Sequence, residues 1–258
     1  MTAQTEKALE ALMQSKKYAC VAEDAARRAV ESAYARYASP KDADKAARRA
    51  LHALTGAYLE TDALKAARKC LERYRAGDES ALEKALSLHA STRERPNARA
   101  LYEKVLAFTG RGPILDMACG FNPLLLGAMG LSVRGWDANG GAAALVNDWA
   151  NACGWDVRVQ TSDLLTQSDF PEGHIALFMK LFPLLERQEA GAAMRLFARV
   201  QAPYKLITFP ARTLSGRDVG MEENYGRWLE EHLPPTHKIV WKEVADGELC
   251  CLTEETHG

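Results

Sequence analysis

"LDMACGFNPL", residues 115–124, decides the fold of this chain. An apolar run ends in a tight turn with one glycine, Gly120, and Asn122-Pro123 stand where a helix would begin. Proline suits the first position of a helix because the N–H it lacks has no intrahelical partner there. The stretch reads as a buried strand feeding a helix, the opening unit of an alternating α/β arrangement. Two readings of the turn stay open on this stretch alone: a ligand loop, or a plain strand-to-helix connection with a core aspartate.

Downstream, short apolar runs alternate with helical stretches. "PILDMA", "LSVRGWD", "WDVRVQ", "HIALFMK" and "YKLITFP" are separated by helix-like segments such as "GGAAALVNDWANACG" and "ERQEAGAAMRLFARVQ". That alternation predicts a mostly parallel sheet covered on both faces. "KIVWKEV" and "ELCCLT", joined by only "ADG", predict a terminal antiparallel hairpin. Upstream the pattern is different. "TEKALEALMQSKKYACV", "EDAARRAVESAYARYA", "PKDADKAARRALHALTGAYL" and "TDALKAARKCLERYRAG" are rich in helix formers, with apolar residues three and four apart. Ser39-Pro40 should start one helix, Thr61-Asp62 should cap the next, and Gly77 should close it. The expected organisation is an all-helical unit over residues 1–105 and a Rossmann-like α/β domain over 106–258.

Composition sets outer limits. With 258 residues, 26% of them charged and 47% hydrophobic, the chain is expected to be an ordinary globular protein. No apolar stretch approaches the roughly 20 residues of a membrane span, and the N-terminus reads as lacking a secretory signal. Six scattered cysteines without a Cys-x-x-Cys pair point away from zinc and disulfides and towards reduced thiols in the cytoplasm. The net charge of −1 hides an asymmetry: residues 1–104 carry a balance of +5 and the remainder −6. A basic half on a neutral protein suggests a polyanionic partner, although a lysine-rich helix face is also simply a solvated one.

In an open parallel sheet, ligands sit at the carboxyl ends of the strands, near the point where strand order reverses. Asp116 lies within the first strand, Asp137 ends the second, 17 residues past Gly120, and Asp163-Leu164 follow the third. An acidic residue at the end of the second strand is placed to bind a ribose, and one after the third to accept from an adenine amino group. A dinucleotide would want Gly-x-Gly-x-x-Gly so that backbone amides could cradle its pyrophosphate. Here that pattern fails, Pro123 removes a donor, and no Gly-x-x-x-x-Gly-Lys is present. S-adenosyl-methionine has the ribose and the adenine but no phosphate, so it suits this loop best.

Longer motifs add to this. "LSLHASTRER" (86–95), "LDMACGFNPL" (115–124), "KLFPLLERQEAG" (180–191) and "FPARTLSGRDVGMEENY" (209–225) together resemble the aminoglycoside-resistance 16S ribosomal RNA methyltransferases, the Arm family. "SKKY" (15–18) and "LHALTGAYLE" (51–60) are similar too, so the resemblance runs from about residue 12 to the C-terminus. Pro96, directly after "STRER", departs from the continued helix that pattern would suggest. The resemblance implies transfer of a methyl group from S-adenosyl-methionine to N7 of a decoding-site guanine in the 30S subunit, by a monomeric cytoplasmic enzyme with no membrane partner. It places Tyr58 over the ligand, His89, Ala90 and Ser91 along the site, and Arg95 on the methionine carboxylate. Ala118 and Gly120 would lie against the cofactor at the first strand's end, and Asp137 would hold the ribose. Asp163 and Leu164 would frame the adenine, with Met179 and Gln188 closing the site. Outside that motif Arg95 would read as a surface arginine and His89 as a satisfied core histidine.

Guanine N7 carries an unprotonated lone pair, so its methylation removes no proton and calls for no catalytic base. Alignment and exclusion of water remain as the enzyme's tasks. The target base has to leave its stack, and "FPARTLSGRDVGMEENY" is placed to wall the pocket that receives it. Arg212 and Arg217 would hold flanking phosphates, and Glu222, Glu223, Asn224 and Tyr225 would supply polar and stacking contacts. Glu222 and Glu223 read equally well as an acidic pair at a helix start. Lys16, Lys17, Arg48, Arg49, Lys65, Arg68 and Lys69, expected on three helices, would present one positive face to ribosomal RNA. Two rivals remain at this point: a small-molecule methyltransferase on the same fold, and a non-catalytic RNA-binding or assembly protein.

Overall fold

The computed structural model describes residues 2–56, 62–211 and 220–256. Seven helices come first: α1 (Ala3–Met13), α2 (Glu23–Arg36), α3 (Pro40–Leu51), α4 (Ala63–Arg75), α5 (Ser80–Leu86), α6 (Ala90–Arg93) and α7 (Ala98–Thr109). The alternating part follows as β1 (Ile114–Met117), α8 (Asn122–Ala128), β2 (Val133–Asp137), α9 (Gly140–Cys153), β3 (Val157–Thr161) and β4 (Ile175–Met179). It continues with α10 (Phe182–Gln188), α11 (Ala192–Arg199), β5 (Tyr204–Pro210), α12 (Met221–His232), β6 (His237–Ala245) and β7 (Glu248–Glu255).

Among the described residues, seven strands form one sheet in the order β3-β2-β1-β4-β5-β7-β6. β1 to β5 run parallel, and β7 enters antiparallel between β5 and β6, as the hairpin reading predicts. The strand order reverses between β1 and β4, so their carboxyl ends flank the crevice where such sheets take ligands. β1 and β4 are buried along almost their whole length, which is why their sequences are continuous apolar runs and not alternating ones. Asp246, at φ 50°, and Gly247, at φ 71°, make the tight turn between β6 and β7.

Local chemistry explains the helix boundaries. The Ser39 hydroxyl accepts from the Asp42 amide, Pro40 opens α3, and Gly77, at φ 95°, follows the end of α4. Asp62 stands at the N-cap of α4 without a side-chain capping bond. Thr61 lies outside the described residues.

Three expectations need correction. The first helix stops at Met13, and residues 14–20 form turns, so Lys16 and Lys17 are not helical. The cause is Tyr18, which turns inward to 4% exposure and donates its hydroxyl to Arg48 O at 3.2 Å. The helix read from residue 40 to 59 is α3 followed by a wider π-turn over His52–Gly56. No helix lies between β3 and β4, because the polar segment 162–174, with Pro171 and Gly173, crosses as a loop.

The hydrophobic core does not divide at residue 105, which lies within α7. Leu9, Leu12, Val30 and Leu51 of the first three helices form one cluster. Residues of α4, α5 and α7, such as Ala67, Ala85, Leu101 and Val105, instead share a cluster with Trp149, Leu126 and Val133 of the sheet domain. Among the described residues, no helix is long and apolar enough to cross a membrane, and no group of His, Cys, Asp and Glu could hold a metal ion.

Candidate functional site

The loop after β1 sits at the reversal point and carries unusual backbone. Ala118 takes φ 56° and is exposed between buried Met117 and Cys119. Lys180, one residue past β4, takes φ 53° and is held there by bonds from its amide to Thr208 O (3.1 Å) and Thr208 Oγ1 (2.9 Å). Left-handed non-glycine residues cost about 1 kcal/mol or more each and concentrate at functional clefts. Two of them flank this one.

Gly120, at φ 51°, has two reasons to be glycine. Its backbone is left-handed, and a Cβ there would stand 2.6 Å from His89 Cε1. Its amide donates to Asp137 Oδ2 at 2.8 Å, while Asn139 N donates to Asp137 Oδ1 at 2.7 Å. The acidic end of β2 and the glycine turn of β1 are therefore one hydrogen-bonded unit. Burial pushes the Asp137 carboxyl up, and the two amide bonds partly offset that.

Beneath the loop runs a buried polar network. Asp116, 1% exposed, accepts from Asn122 Nδ2 at 2.7 Å, and Asn122 Oδ1 accepts from the Tyr102 hydroxyl at 2.7 Å. Asp116 Oδ1 has no partner. Burial raises that carboxyl to about 7, against the pull of Asn122 and Arg95. Arg95, 5% exposed, donates Nε to Ser91 O at 3.0 Å and Nη1 to the Tyr102 hydroxyl at 3.5 Å. Its Nε also lies 3.3 Å from Glu248 Oε1, which lies 3.2 Å from Lys180 Nζ. Burial would lower the Arg95 pKa, but Tyr102, Glu248 and Asp116 together outweigh it and raise it. His89 packs against Phe121, with ring centroids 5.1 Å apart, and its Nδ1 lies 2.8 Å from Ser91 Oγ. Burial, then Arg95 and Arg93, lower the His89 pKa to about 4, so its imidazole is neutral at ordinary pH. α6 ends at Arg93, ahead of Pro96, which is how the chain accommodates a proline after "STRER".

The third acidic strand end is shared between the two halves of the chain. Asp163, 5% exposed, accepts from Leu165 N at 3.1 Å on Oδ1 and from Arg28 Nε at 2.6 Å on Oδ2. Arg28 Nη2 donates to Gln188 Oε1 at 2.8 Å. Leu164 is buried beside Asp163, and half-buried Met179 closes β4. Ala90 and Ser91 are half-buried at the start of α6. Tyr58 lies outside the described residues.

The basic residues expected to meet RNA are all exposed: Lys16 and Lys17 in the turn after α1, Arg48 and Arg49 on α3, and Lys65, Arg68 and Lys69 on α4. Arg68 is paired with Asp148 at 3.2 Å. Arg212 and Arg217 lie outside the described residues. Glu222 and Glu223 occupy the first turn of α12, a favourable place for acidic side chains, and line a cavity of about 200 Å³ with Lys242, Glu243, Val244 and Leu249. The cavity faces the β6–β7 hairpin, not the loop after β1. Asn224 is exposed, and Tyr225 stacks on Phe209 at 4.9 Å and 16°.

The cleft suits the ligand expected from the sequence. An exposed left-handed alanine, an unpartnered buried carboxylate oxygen on Asp116 and an acidic β2 end offer polar recognition. Pro123 at the start of α8 leaves no cradle for a phosphate. The sequence reading did not single out Arg28, Asp24, Tyr102 or Glu248, took Asn122 only as a helix start, and quoted Lys180 only as the first residue of a motif.

Comparison with known proteins follows the same line. Residues 14–236 match the family model described as "Ribosomal RNA methyltransferase (FmrO)". The chain is 39% identical over 250 residues to a Serratia marcescens protein named "16S rRNA (guanine(1405)-N(7))-methyltransferase", covering 96% of this chain and 97% of that protein. A Micromonospora rosea protein of the same name is 32% identical, with 86% of each chain covered. Among solved structures, the chain is similar to the 16S rRNA methyltransferase RmtF in complex with S-adenosyl-L-homocysteine, with 46% identity, a TM-score of 0.92, and 99% of this chain and 100% of that one covered. The 16S rRNA methylase RmtB follows with 35% identity, a TM-score of 0.88, and 99% and 100% covered.

Proposed function

The chain belongs to the ribosomal RNA methyltransferase (FmrO) family, and on that premise we infer that it methylates N7 of the 16S rRNA guanine its relatives are named for, with S-adenosyl-methionine as cofactor, and thereby confers aminoglycoside resistance. The observation carrying this reading is the hydrogen-bonded pairing of the Gly120 turn with Asp137 beside the exposed, left-handed Ala118. Membership of an rRNA methyltransferase family sets aside the small-molecule and non-catalytic alternatives.

S-adenosyl-methionine supplies an electrophilic methyl group on a sulfonium. The chain's own residues bind, orient and exclude water. Asp137, with its amide bonds already made, has acceptor capacity left for the ribose hydroxyls. Arg95 keeps Nη2 without a protein partner among the described residues and is assigned to the methionine carboxylate. Asp116 Oδ1, buried and without a hydrogen-bond partner, is assigned to a cationic amino group. Asp163, Leu164, Met179 and Gln188 are assigned to the adenine side, and His89, Ala90, Ser91 and Tyr58 to the remaining walls. Neutral His89 makes no proton transfer in this scheme. Because guanine N7 is already a free lone pair, no residue needs to take a proton.

The finer partner is proposed to be the assembled 30S subunit, met by a monomer in the cytoplasm. Exposed Lys16, Lys17, Arg48, Arg49, Lys65, Arg68 and Lys69 would engage phosphates in a sequence-independent, salt-sensitive way. Arg212 and Arg217 are assigned to phosphates beside the extruded base, and Glu222, Glu223, Asn224 and Tyr225 to the base and its neighbours. The test is incubation with radiolabelled S-adenosyl-methionine and purified small subunits, with modified bases mapped by reductive cleavage. Cleavage at the named guanine is the expected result. Labelled subunits without that cleavage would refute the assignment.

A further inference from the structure

The segment from Cys20 to Arg28, at the start of the helical half, grips both loops of the adenosine side. On the β2 side, Ala22 N donates to Ala138 O at 2.9 Å, and Gly140 N donates to Cys20 O. Backbones approach so closely there that a Cβ on Gly140 would stand 2.5 Å from Cys20 O. On the β3 side, Asp24 Oδ2 accepts from Asp163 N at 3.0 Å and from Thr166 Oγ1 at 2.7 Å. Arg28 then holds the Asp163 carboxylate and the Gln188 amide with separate nitrogens of one planar guanidinium.

We propose that Arg28 is a positioning residue for the cofactor: it reaches from α2 into the α/β domain and keeps Asp163 and Gln188 in register on the adenine side of the site. The inference rests on the methyltransferase reading above. A guanidinium suits this role because its donors are fixed in a plane, so orienting one acceptor also orients the other. Asp163 and Gln188 come from different connections, after β3 and at the end of α10, and among the described residues no hydrogen bond joins them directly. α2 is also anchored by apolar packing, since Ala25, Ala26, Ala29 and Val30 are buried in the cluster of the first three helices.

The experiment uses calorimetric titration of the full chain with S-adenosyl-homocysteine and with 5′-methylthioadenosine, which lacks the amino-acid half. Arg28→Ala is expected to weaken both ligands by a similar factor of about ten, the size of one lost charged hydrogen bond. Asp163 loses its counter-ion in this variant, so the melting temperature should also fall, and all affinities are compared well below the melting temperature of each protein. Arg27→Ala, one residue away and paired with Glu6 and Glu23, should bind both ligands as the parent does. Arg28→Lys keeps the charge but not the plane, so it should fall between the two and decides the matter if the alanine variant does not fold. Affinities within twofold of the parent in a folded Arg28 variant would overturn the proposal. So would a loss confined to S-adenosyl-homocysteine, because that would place the effect at the amino-acid end. Failure of the parent itself to bind S-adenosyl-homocysteine would instead refute the cofactor assignment.

Discussion

Glu248 lies at the centre of the buried network, within ion-pair distance of both Arg95 and Lys180, and removing it should destabilise the fold more than any surface change. Its side chain is 2% exposed and that of Arg95 is 4% exposed. Oε2 accepts the Thr208 hydroxyl at 2.7 Å, and Oε1 lies 3.3 Å from Arg95 Nε and 3.2 Å from Lys180 Nζ. Those two contacts are charge contacts without hydrogen-bond alignment. Glu248→Ala leaves a buried guanidinium without its counter-ion, for which the expected cost is about 3–5 kcal/mol. In a chain of this size that corresponds to a fall in melting temperature of roughly 6–20 °C. Glu248→Gln keeps the volume and a bond to Thr208 but loses the charge, and should cost about half as much. Thermal and urea unfolding of the three proteins side by side measures both values. A loss below about 1 kcal/mol for Glu248→Ala would show that Arg95 needs no buried counter-ion, and the account of the network given above would fail.

Three further outcomes are expected. The Asp116 carboxyl, raised to about 7 from an ordinary value of 3.8, binds a proton in the folded state that the unfolded chain releases. Stability from this group is therefore full below pH 4 and lost as pH rises towards 7, by at most about 1.4 kcal/mol per pH unit. Asp116→Asn should remove that slope, and stability curves of parent and variant that run parallel from pH 4 to 8 would contradict it. Asp137→Ala should abolish S-adenosyl-homocysteine binding, whereas Lys16→Glu with Lys17→Glu should preserve it and weaken binding to small subunits. Equal loss of both activities in either protein would undo this division of labour. Gly120→Ala meets both a left-handed backbone costing about 1–2 kcal/mol and the His89 ring. Calorimetry should show cofactor binding lost, and unimpaired binding would mean that His89 can move aside.

What could be read from the sequence was local. The one-glycine turn, the Asp137 strand end and the "ADG" hairpin each declare themselves within a few residues, because backbone geometry there depends on residue type. The Ser39-Pro40 start and the Gly77 stop were legible for the same reason. Arg28–Asp163 and Arg95–Glu248 were not, since each pair is separated by more than a hundred residues and charged side chains read as solvated until the fold brings them together. The helix predicted through Lys16 and Lys17 failed because burying Tyr18 outweighs local helix propensity. The helix expected between β3 and β4 gives way to a loop because the segment is polar and holds Pro171 and Gly173.

The placement of β7 has a consequence for how the protein is made. β5 finds its second neighbour only in β7, the last strand in chain order among the described residues. Until β7 emerges, the β5 edge, with Leu206, Ile207 and Phe209, stands open, and Arg95 waits for the charge of Glu248. An unpaired apolar edge on a growing chain is where misassembly begins. Translation therefore delivers the strand that covers the β5 edge and the carboxylate that faces Arg95 in one step.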